Sequence, residues 1–201
     1  MKCKFLVLIS ISLIAHIAKA QFAENNWLYL SLGGALGSHL GASISADYVY
    51  NNKYSLEIGW EQLVRSSQNK PSDYSSGLAG LLFLNLLKPY EQSDLFQFQA
   101  GRVLILNETK SIRLNLMGGL AFTRIKDAFD FSPVDSAFLT ENYTYEYKEY
   151  STISLVIAPR IEFATPIYGI SLSPRFICNK DIIYIGLSLN HMIGVLRPKS
   201  E

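Results

Sequence analysis

The chain of 201 residues contains few cysteines and histidines, and each shortage excludes a class of site. Of the two cysteines, Cys3 lies in an N-terminal segment that we predict to be removed, which leaves Cys178. A single cysteine cannot form an intramolecular disulfide, so we interpret Cys178 as a small apolar strand residue. The three histidines and the cysteines form no cluster at ligand spacing, and we therefore predict neither a metal nor a cofactor.

The sequence also lacks a strong excess of charge of one sign. It has 18 Lys and Arg against 17 Asp and Glu. Removing residues 1–20 takes away Lys2, Lys4 and Lys19 and no acid, which leaves 15 basic and 17 acidic residues, a net charge of −2. Nucleic-acid-binding proteins usually carry a strong basic excess, so nucleic acid is excluded as a predicted partner.

Long apolar runs are absent except at the N-terminus, "MKCKFLVLISISLIAHIAKA". Two lysines precede an apolar run, and Ala18 and Ala20 form a small-x-small site before Gln21. This is the pattern of a cleavable secretory signal peptide, and the run of about 14 residues is short for a spanning helix. We predict a signal peptide over 1–20 and one exported domain over 21–201.

The exported part shows a regular alternation of apolar and polar residues. In "YSLEIGWEQL", Tyr54, Leu56, Ile58 and Trp60 alternate with serine, glycine and glutamates. A period of two predicts strands with one apolar and one polar face. The same signal recurs in eight segments, over residues 27–35, 41–50, 54–65, 95–106, 111–125, 151–163, 168–177 and 182–194.

The connections between these segments differ systematically in length. Tight turns are predicted at 51–53, 107–110 and 164–167, and long loops at 66–94 and 126–150. With eight antiparallel strands, all three tight turns fall at one end and both long loops at the other, which is typical of outer-membrane barrels. We therefore predict an all-β, antiparallel, up-and-down eight-stranded transmembrane β-barrel. We assign "GLAGLLFLNLLKP", 77–89, to a long loop; a barrel of ten strands is the alternative.

The polar faces of the predicted strands carry charges of both signs. If the apolar faces contact lipid, these charges point into the barrel. Eight strands enclose only enough space for side chains, so we expect paired charges rather than a conducting channel. The predicted interior network consists of Asp47, Glu57, Glu61, Arg113, Arg160, Glu162 and Arg175.

A secreted soluble barrel would show the same alternation with its faces exchanged. A lipocalin-like protein would bind a small apolar ligand inside, and alternation alone does not separate the two. Aromatic residues at the predicted periplasmic strand ends favour the membrane, because such residues form interfacial girdles. These residues are Trp27, Tyr50, Tyr54 and Tyr168.

The C-terminal stretch 151–199 resembles small outer-membrane β-barrel proteins of the Bacteroidota type, similar in architecture to OmpA- and OmpX-like barrels. The similarity rests on a strand with a central proline, a glycine-started strand, Asn179 at a tip, and an ending with Ile193, Gly194 and Arg197. The glycine-rich first hairpin is also similar. The resemblance implies an outer-membrane barrel and no assigned activity.

No catalytic signature stands out. Ser38 and His39 are neighbours in the first outer turn, but adjacent serine and histidine occur too often by chance to indicate a site. Ser188 and His191 are three residues apart on a strand and point to opposite faces. We therefore predict that the protein is not an enzyme.

The loop predicted over 126–150 combines aromatic and acidic residues, which suits adhesion or ligand contact. Alternatively, "NYTYEYKEY" extends a barrel strand above the membrane with its tyrosines on one face. We predict an outer-membrane protein with a structural or surface-binding role. Its predicted partners are outer-membrane lipid and an extracellular ligand or protein that contacts loops 66–94 and 126–150. The predicted contact surface comprises Phe129, Phe131, Phe138, Tyr143 and Tyr145.

Overall fold

The computed structural model describes residues 26–77, 89–134 and 140–197. Within these ranges the chain is all-β and every strand pairing is antiparallel. No helix in the described ranges is long and apolar enough to span a membrane. The strands are β1 (Trp27–Gly37), β2 (Leu40–Tyr50), β3 (Tyr54–Ser66), β4 (Tyr90–Ile105), β5 (Ile112–Pro133), β6 (Tyr143–Ile157), β7 (Arg160–Ala164), β8 (Tyr168–Cys178) and β9 (Ile183–Val195).

These strands form a closed ring of eight, because β6 and β7 are two parts of one barrel strand. Both parts pair with β5 on one side and with β8 on the other, and the register continues across Ala158 and Pro159. Pairing between β1 and β9 closes the ring. The predicted eight-stranded antiparallel barrel is confirmed. The segment 77–89, the source of the ten-strand alternative, lies almost wholly outside the described residues.

The strands are tilted against the barrel axis. Following paired residues once round the ring from Leu28 leads to Ile185, whose carbonyl accepts the Ser38 N–H. The path therefore returns to the first strand 10 residues further on, from 28 to 38. For eight strands with a rise of about 3.3 Å per residue, this offset corresponds to a tilt of about 40°.

The connections at the two ends of the barrel differ as predicted. The tight turns 51–53, 106–111 and 165–167 all lie at one end. In the first of them, Asn51 and Asn52 have φ values of 51° and 54°, a left-handed conformation that asparagine tolerates well. The end of β3, the start of β4, the end of β5 and the start of β6 lie at the opposite end, together with the brief turns 38–39 and 179–182.

The predicted loop over 126–150 is wrong in extent. β5 continues to Pro133 and β6 begins at Tyr143, so most of this segment is a two-stranded extension of the barrel. The alternative, in which "NYTYEYKEY" prolongs a strand, describes the structure. β4 likewise begins at Tyr90, earlier than the predicted 95. Beyond Lys126 on β5 and before Leu155 on β6, these two strands pair only with each other, so the outer edge of each lies outside the sheet pairing.

The interior of the barrel is layered rather than uniformly polar. A buried apolar cluster fills the end with the tight turns: Trp27, Tyr29, Val49, Val103, Ala164, Met192 and Leu196. A second fills the opposite half: Ala35, Leu63, Leu95, Ala121, Val156, Ala158, Ile177 and Tyr184. Most of the buried charged side chains lie between these two layers, away from both openings.

Large apolar side chains cover the outside. Leu32 is 63% exposed, Ile58 65% and Ile193 64%, and similar residues occur on every strand. On β8, β9, β1 and β2 this apolar surface reaches the outer turns, and we call these strands the short wall. On β3, β4, β5 and β6 it gives way to polar residues before the strands end, and we call these the tall wall.

The two walls meet at β7 and β8, where two prolines face each other. The register aligns Pro159 with Pro174. Because the Ala158 N–H bonds to β5, the backbone groups of position 159 face β8, where two ordinary residues would each donate an N–H to the other's carbonyl. Neither can, because proline has no N–H. The Ser173 hydroxyl lies 2.9 Å from the Pro159 carbonyl oxygen and 3.3 Å from that of Pro174, and its one O–H, shared between these two acceptors, partly replaces the two missing N–H donors.

Candidate functional site

All seven residues of the predicted interior network lie at buried positions. Arg160 is central: it pairs with Asp47, with Glu57 at 2.9 Å and with Glu162 at 2.9 Å. Arg113 joins this group through Glu162 at 2.5 Å. This group has three carboxylates for two guanidiniums, and neutral donors supplement the ion pairs: Ser31 and Ser45 donate to Asp47, Gln99 to Glu57 and Asn115 to Glu162.

Glu61 and Arg175 form a separate pair at 2.8 Å, in which the same guanidinium nitrogen also donates to Gln97 at 2.8 Å. The paired carboxylates and guanidiniums, together with the apolar layers on both sides of them, fill the described interior with buried side chains. The arrangement is that of a plug rather than a channel.

Trp27 does not belong to the aromatic girdle that its place near a strand end predicts. It is fully buried inside the barrel, where the Arg113 guanidinium lies 4.3 Å from the centre of its ring. The phase of β1 explains this, because Leu28, Leu30 and Leu32 face outward and leave Trp27 inward. Tyr50, Tyr54 and Tyr168 are exposed, as predicted.

The β5–β6 hairpin carries aromatic residues on its outer face. Tyr145 lies 5.4 Å from Phe131 and 5.6 Å from Tyr147, measured between ring centres. The Lys126 ammonium lies 4.6 Å from the centre of the Tyr147 ring. We call this group, together with Tyr90 and Tyr143, the aromatic cluster. It stands beyond the apolar surface, since Arg124 and Glu149 form a surface ion pair below it.

A β-bulge separates Phe129 from this cluster. The register between β5 and β6 shifts between Phe129 and Ser132, and Asp130 there has a φ of 55°. One extra residue in a strand reverses the face on which the following side chains lie. Phe131 therefore faces outward, whereas Phe129 lines a concavity of about 510 Å³ on the inner face with Lys148, Tyr150 and Lys180.

The predicted contact surface is thus divided. Phe131, Tyr143 and Tyr145 lie together on the outer face, Phe129 lies on the other face, and Phe138 falls outside the described residues. At the tip, the Tyr143 hydroxyl donates to the Asp73 carboxylate at 2.9 Å. That hydrogen bond, more than partial burial, raises the pKa of Tyr143 above its usual value.

The outer turn between β1 and β2 holds an arrangement that sequence reasoning missed. Ser38 Oγ lies 2.9 Å from Nδ1 of His39, and Nε2 of the same ring lies 3.7 Å from Oε1 of Glu91. The other carboxylate oxygen of Glu91 accepts two bonds from Arg65, at 2.9 and 2.6 Å. Ser38 and His39 are visible as neighbours in the sequence, but only the barrel register brings β4 to them.

No group of three His, Cys, Asp or Glu side chains within the described ranges could hold a metal ion. The predicted absence of a cofactor stays a prediction. The described part of the chain presents four polar or mixed features: the interior network, the aromatic cluster, the concavity beside Phe129, and the Ser38, His39 and Glu91 array.

Comparison with solved structures identifies the fold. The N-terminal β-barrel domain of OprF from Pseudomonas aeruginosa has a TM-score of 0.53 at 9% identity, and the match covers 85% of this chain and 98% of that chain. The attachment invasion locus protein Ail of Yersinia pestis has a TM-score of 0.48 at 13% identity, covering 86% and 99%. Neisserial surface protein A has a TM-score of 0.40 at 13% identity, covering 85% and 93%.

At these identities the likeness concerns the fold alone, and the argument rests on the OprF domain, whose TM-score is above 0.5. No protein-family profile matches the chain. No curated protein matches it either. The comparisons do not support the resemblance to the Bacteroidota type. The chain therefore has the fold of an eight-stranded outer-membrane β-barrel, and its role must be argued from its own residues.

Proposed function

We propose that this protein spans the outer membrane and holds the β5–β6 hairpin above it as a contact surface for an extracellular ligand or protein. The observation that carries the proposal is the difference in height between the walls. β5 and β6 pair as far as Pro133 and Tyr143, whereas β1 and β2 are joined by the short turn at 38–39. A purely structural barrel needs no such one-sided extension.

The outer surface supports a membrane location. Outward-facing leucines run from Leu28 to Leu36 on β1, which at the observed tilt covers about 20 Å, close to the apolar band of known outer-membrane barrels. Soluble monomers rarely expose an apolar surface of this extent. The signal peptide predicted over 1–20 is consistent with export.

The interior argues against the alternative, a soluble lipocalin-like carrier. Such a barrel needs an apolar cavity, whereas the middle of this one holds Arg160 and its carboxylate partners, flanked by packed apolar layers. Its leucines and isoleucines would also face water. The role therefore belongs to the outside of the barrel rather than to a ligand within it.

The aromatic cluster supplies the contact chemistry. The half-buried tyrosines of the cluster provide apolar area with few rotatable bonds, and their hydroxyls and Lys126 provide polar contacts. The hairpin tip is also anchored, because Asn142 and Tyr143 bond to the β3–β4 connection at Asp73 and Ser75. A braced aromatic surface loses little conformational entropy on binding.

Fractionation followed by gel mobility with and without boiling tests the location. Recovery only in detergent with a heat-modifiable band is expected, and recovery of folded protein without detergent would contradict the membrane proposal.

Contact is tested with cells that display the protein on arrays of immobilised glycans and matrix proteins. Cells that display the double variant Phe131→Ser and Tyr145→Ser should no longer bind the array components that the unmodified protein binds. Phe129→Ser, on the opposite face of the same hairpin, is the matched control and should retain it. Equal binding by both variants, or none by the unmodified protein, would overturn the contact role.

A further inference from the structure

Ser38, His39 and Glu91 form an array that the proposed contact role does not use. Ser38 Oγ lies 2.9 Å from the imidazole Nδ1 of His39, and the opposite ring nitrogen points to Glu91 Oε1 at 3.7 Å. These last two atoms are buried, and at 3.7 Å they form an ion-pair contact rather than a hydrogen bond. Neither has a hydrogen-bond partner among the described residues. A hydroxyl, an imidazole and a carboxylate in this order are the components of an activated nucleophile.

Burial divides the roles within the array. The side chain of His39 is 0% exposed and that of Glu91 is 5% exposed, whereas Ser38 is exposed on the outside of the barrel. Arg65 donates two hydrogen bonds, from Nε and Nη2, to the second carboxylate oxygen of Glu91, and these bonds hold the carboxylate beside the imidazole ring. The base is thus shielded from water while the hydroxyl remains accessible.

A largely apolar groove of about 540 Å³ on the outer surface extends along β1 as far as the residues on either side of the turn that carries Ser38. It is lined by leucines of β1, β2 and β9, by small residues that include Gly33 and Gly34, and by His191. Two of these leucines, Leu36 and Leu40, lie two residues before and two residues after Ser38 in the chain. From Leu32 to Ser38 the strand covers about 20 Å, a length that accommodates an extended fatty acyl chain. Because this wall faces lipid in the proposed orientation, the occupant that fits is the acyl chain of a membrane lipid.

We propose that Ser38 is the nucleophile of an acyl-ester hydrolase that acts on lipids of the outer leaflet. The inference uses the membrane location of the proposed function but goes beyond its contact role. It also assigns an activity to a chain whose sequence predicts none.

The reaction follows from the geometry. Ser38 Oγ bonds to the ester carbonyl carbon as its proton passes to His39 Nδ1. The ester C–O bond then breaks, and the leaving alcohol takes that proton. Water attacks the resulting acyl-serine, His39 accepts a proton from the water and returns it to Ser38 Oγ, and a carboxylic acid is released. Glu91 is a positioning residue that holds the ring and stabilises the imidazolium.

A fluorophosphonate probe tests the nucleophile in the full chain in detergent micelles. We expect labelling of the unmodified protein, none of Ser38→Ala, and labelling of His39→Gln reduced 100-fold or more. Ser66→Ala, another exposed serine on the outer surface, is the matched control and should label normally. If the unmodified protein labels no more than Ser38→Ala while heat-modifiable bands show both to be folded, the proposal is wrong.

Substrate length tests the groove. A Cβ at Gly34 would lie 3.6 Å from the Gly41 carbonyl oxygen, an ordinary contact, so Gly34→Val should fold and narrow the groove. We expect it to slow hydrolysis of a p-nitrophenyl hexadecanoate at least 10-fold and leave the butyrate unchanged. Equal losses for both esters would overturn the assignment of the groove.

The lipid source is decided by fatty-acid release from phospholipid vesicles and, separately, from lipopolysaccharide. Release from the first alone identifies a phospholipid substrate, and release from the second alone identifies a glycolipid. Release from neither would overturn the proposal even if short esters react.

Glu91→Gln separates positioning from a merely structural role. Loss of the carboxylate removes stabilisation of the imidazolium, so the acid limb of the rate profile should move to lower pH while kcat falls and KM stays constant. An unchanged pH profile would show that Glu91 does not act through His39.

Discussion

Inward and outward residues alternate along the strands of both the short and the tall wall, but the two walls differ in the polarity of their outward residues near the outer end. On the short wall, Leu36, Leu40 and Ile183 keep the outside apolar as far as the turns. On the tall wall, Gln62 and Asp94 are hydrogen bonded to each other where the apolar surface stops. Alternation therefore sets the face of a side chain, whereas the chemistry of the outward residues sets where the proposed contact with the membrane ends.

The walls are joined through the interior as well as along the sheet. Asp47 comes from β2 on the short wall, Glu57 from β3 on the tall wall, and Arg160 pairs with both. Because this guanidinium lies between apolar layers, its bonds to the two walls are screened little by water. The interior network thus connects the parts of the barrel that the outside keeps distinct.

Removing that connection should have the largest effect. Arg160→Met leaves Asp47, Glu57 and Glu162 without their common partner, and an uncompensated buried charge costs about 3–5 kcal/mol. The free energy of unfolding in urea, followed by heat modifiability, measures the loss.

Arg124→Met is the matched control for this change. Arg124 pairs with Glu149 on the exposed face of the tall wall, and a surface ion pair contributes about 0–1 kcal/mol. Similar losses for the two arginines would mean that burial of the interior network is not what stabilises the barrel.

A charge placed on the lipid-facing surface should have the next largest effect, graded by depth. Ile58 lies in the middle of the apolar stretch of β3, so Ile58→Arg should cost about 2–4 kcal/mol of insertion free energy. Leu114 lies close to the tight turn that precedes β5, and Leu114→Arg should cost about 0–1 kcal/mol. Equal costs in lipid vesicles would contradict the proposed position of the membrane.

The sequence was sufficient for the strands but not for every position on them. Period-two alternation placed all eight barrel strands, because a wall with an apolar outer face and a mostly polar inner face imposes that pattern on each one. The phase of β1 could also have placed Trp27 inside. By contrast, nothing local marks the bulge at Asp130 that turns Phe131 outward.

Long-range contacts lie further beyond sequence reasoning. Glu91 meets His39 only because β3 aligns with both β2 and β4. The apolar layers were missed for a related reason: Leu63 and Leu95 occupy inward positions, where a lumen is expected to be polar. These leucines pack against residues on the far side of the barrel, and alternation along one strand does not identify those partners.

Two substitutions at the proline pair, where the walls meet, should change the free energy of unfolding by smaller amounts and in opposite directions. Ser173→Ala removes the hydroxyl that bonds to the carbonyls of Pro159 and Pro174, and should cost about 1–3 kcal/mol. Pro174→Ala supplies an N–H toward Pro159 and should add about 0.5–1.5 kcal/mol. The free energy of unfolding in urea, measured for both variants, checks the direction of each change. Destabilisation by Pro174→Ala would show that the barrel requires the missing hydrogen bond between these two strands.

The smallest expected effect concerns the tip of the tall wall and depends on pH. Tyr143 donates to Asp73, and this bond raises the pKa of Tyr143 above the usual 10.0. A group whose neutral form is favoured in the folded state contributes stability below pH 10.0, and loses it as pH rises through the raised pKa. Subtilisin should therefore cleave the 134–142 connection faster in Tyr143→Phe than in the unmodified protein at pH 8. The two cleavage rates should converge as the pH rises above the raised pKa of Tyr143, because the tyrosinate can no longer donate a hydrogen bond.

A difference between the two rates that persists in strong alkali would mean that the ring of Tyr143, packed against Tyr74, anchors the tip without its hydroxyl.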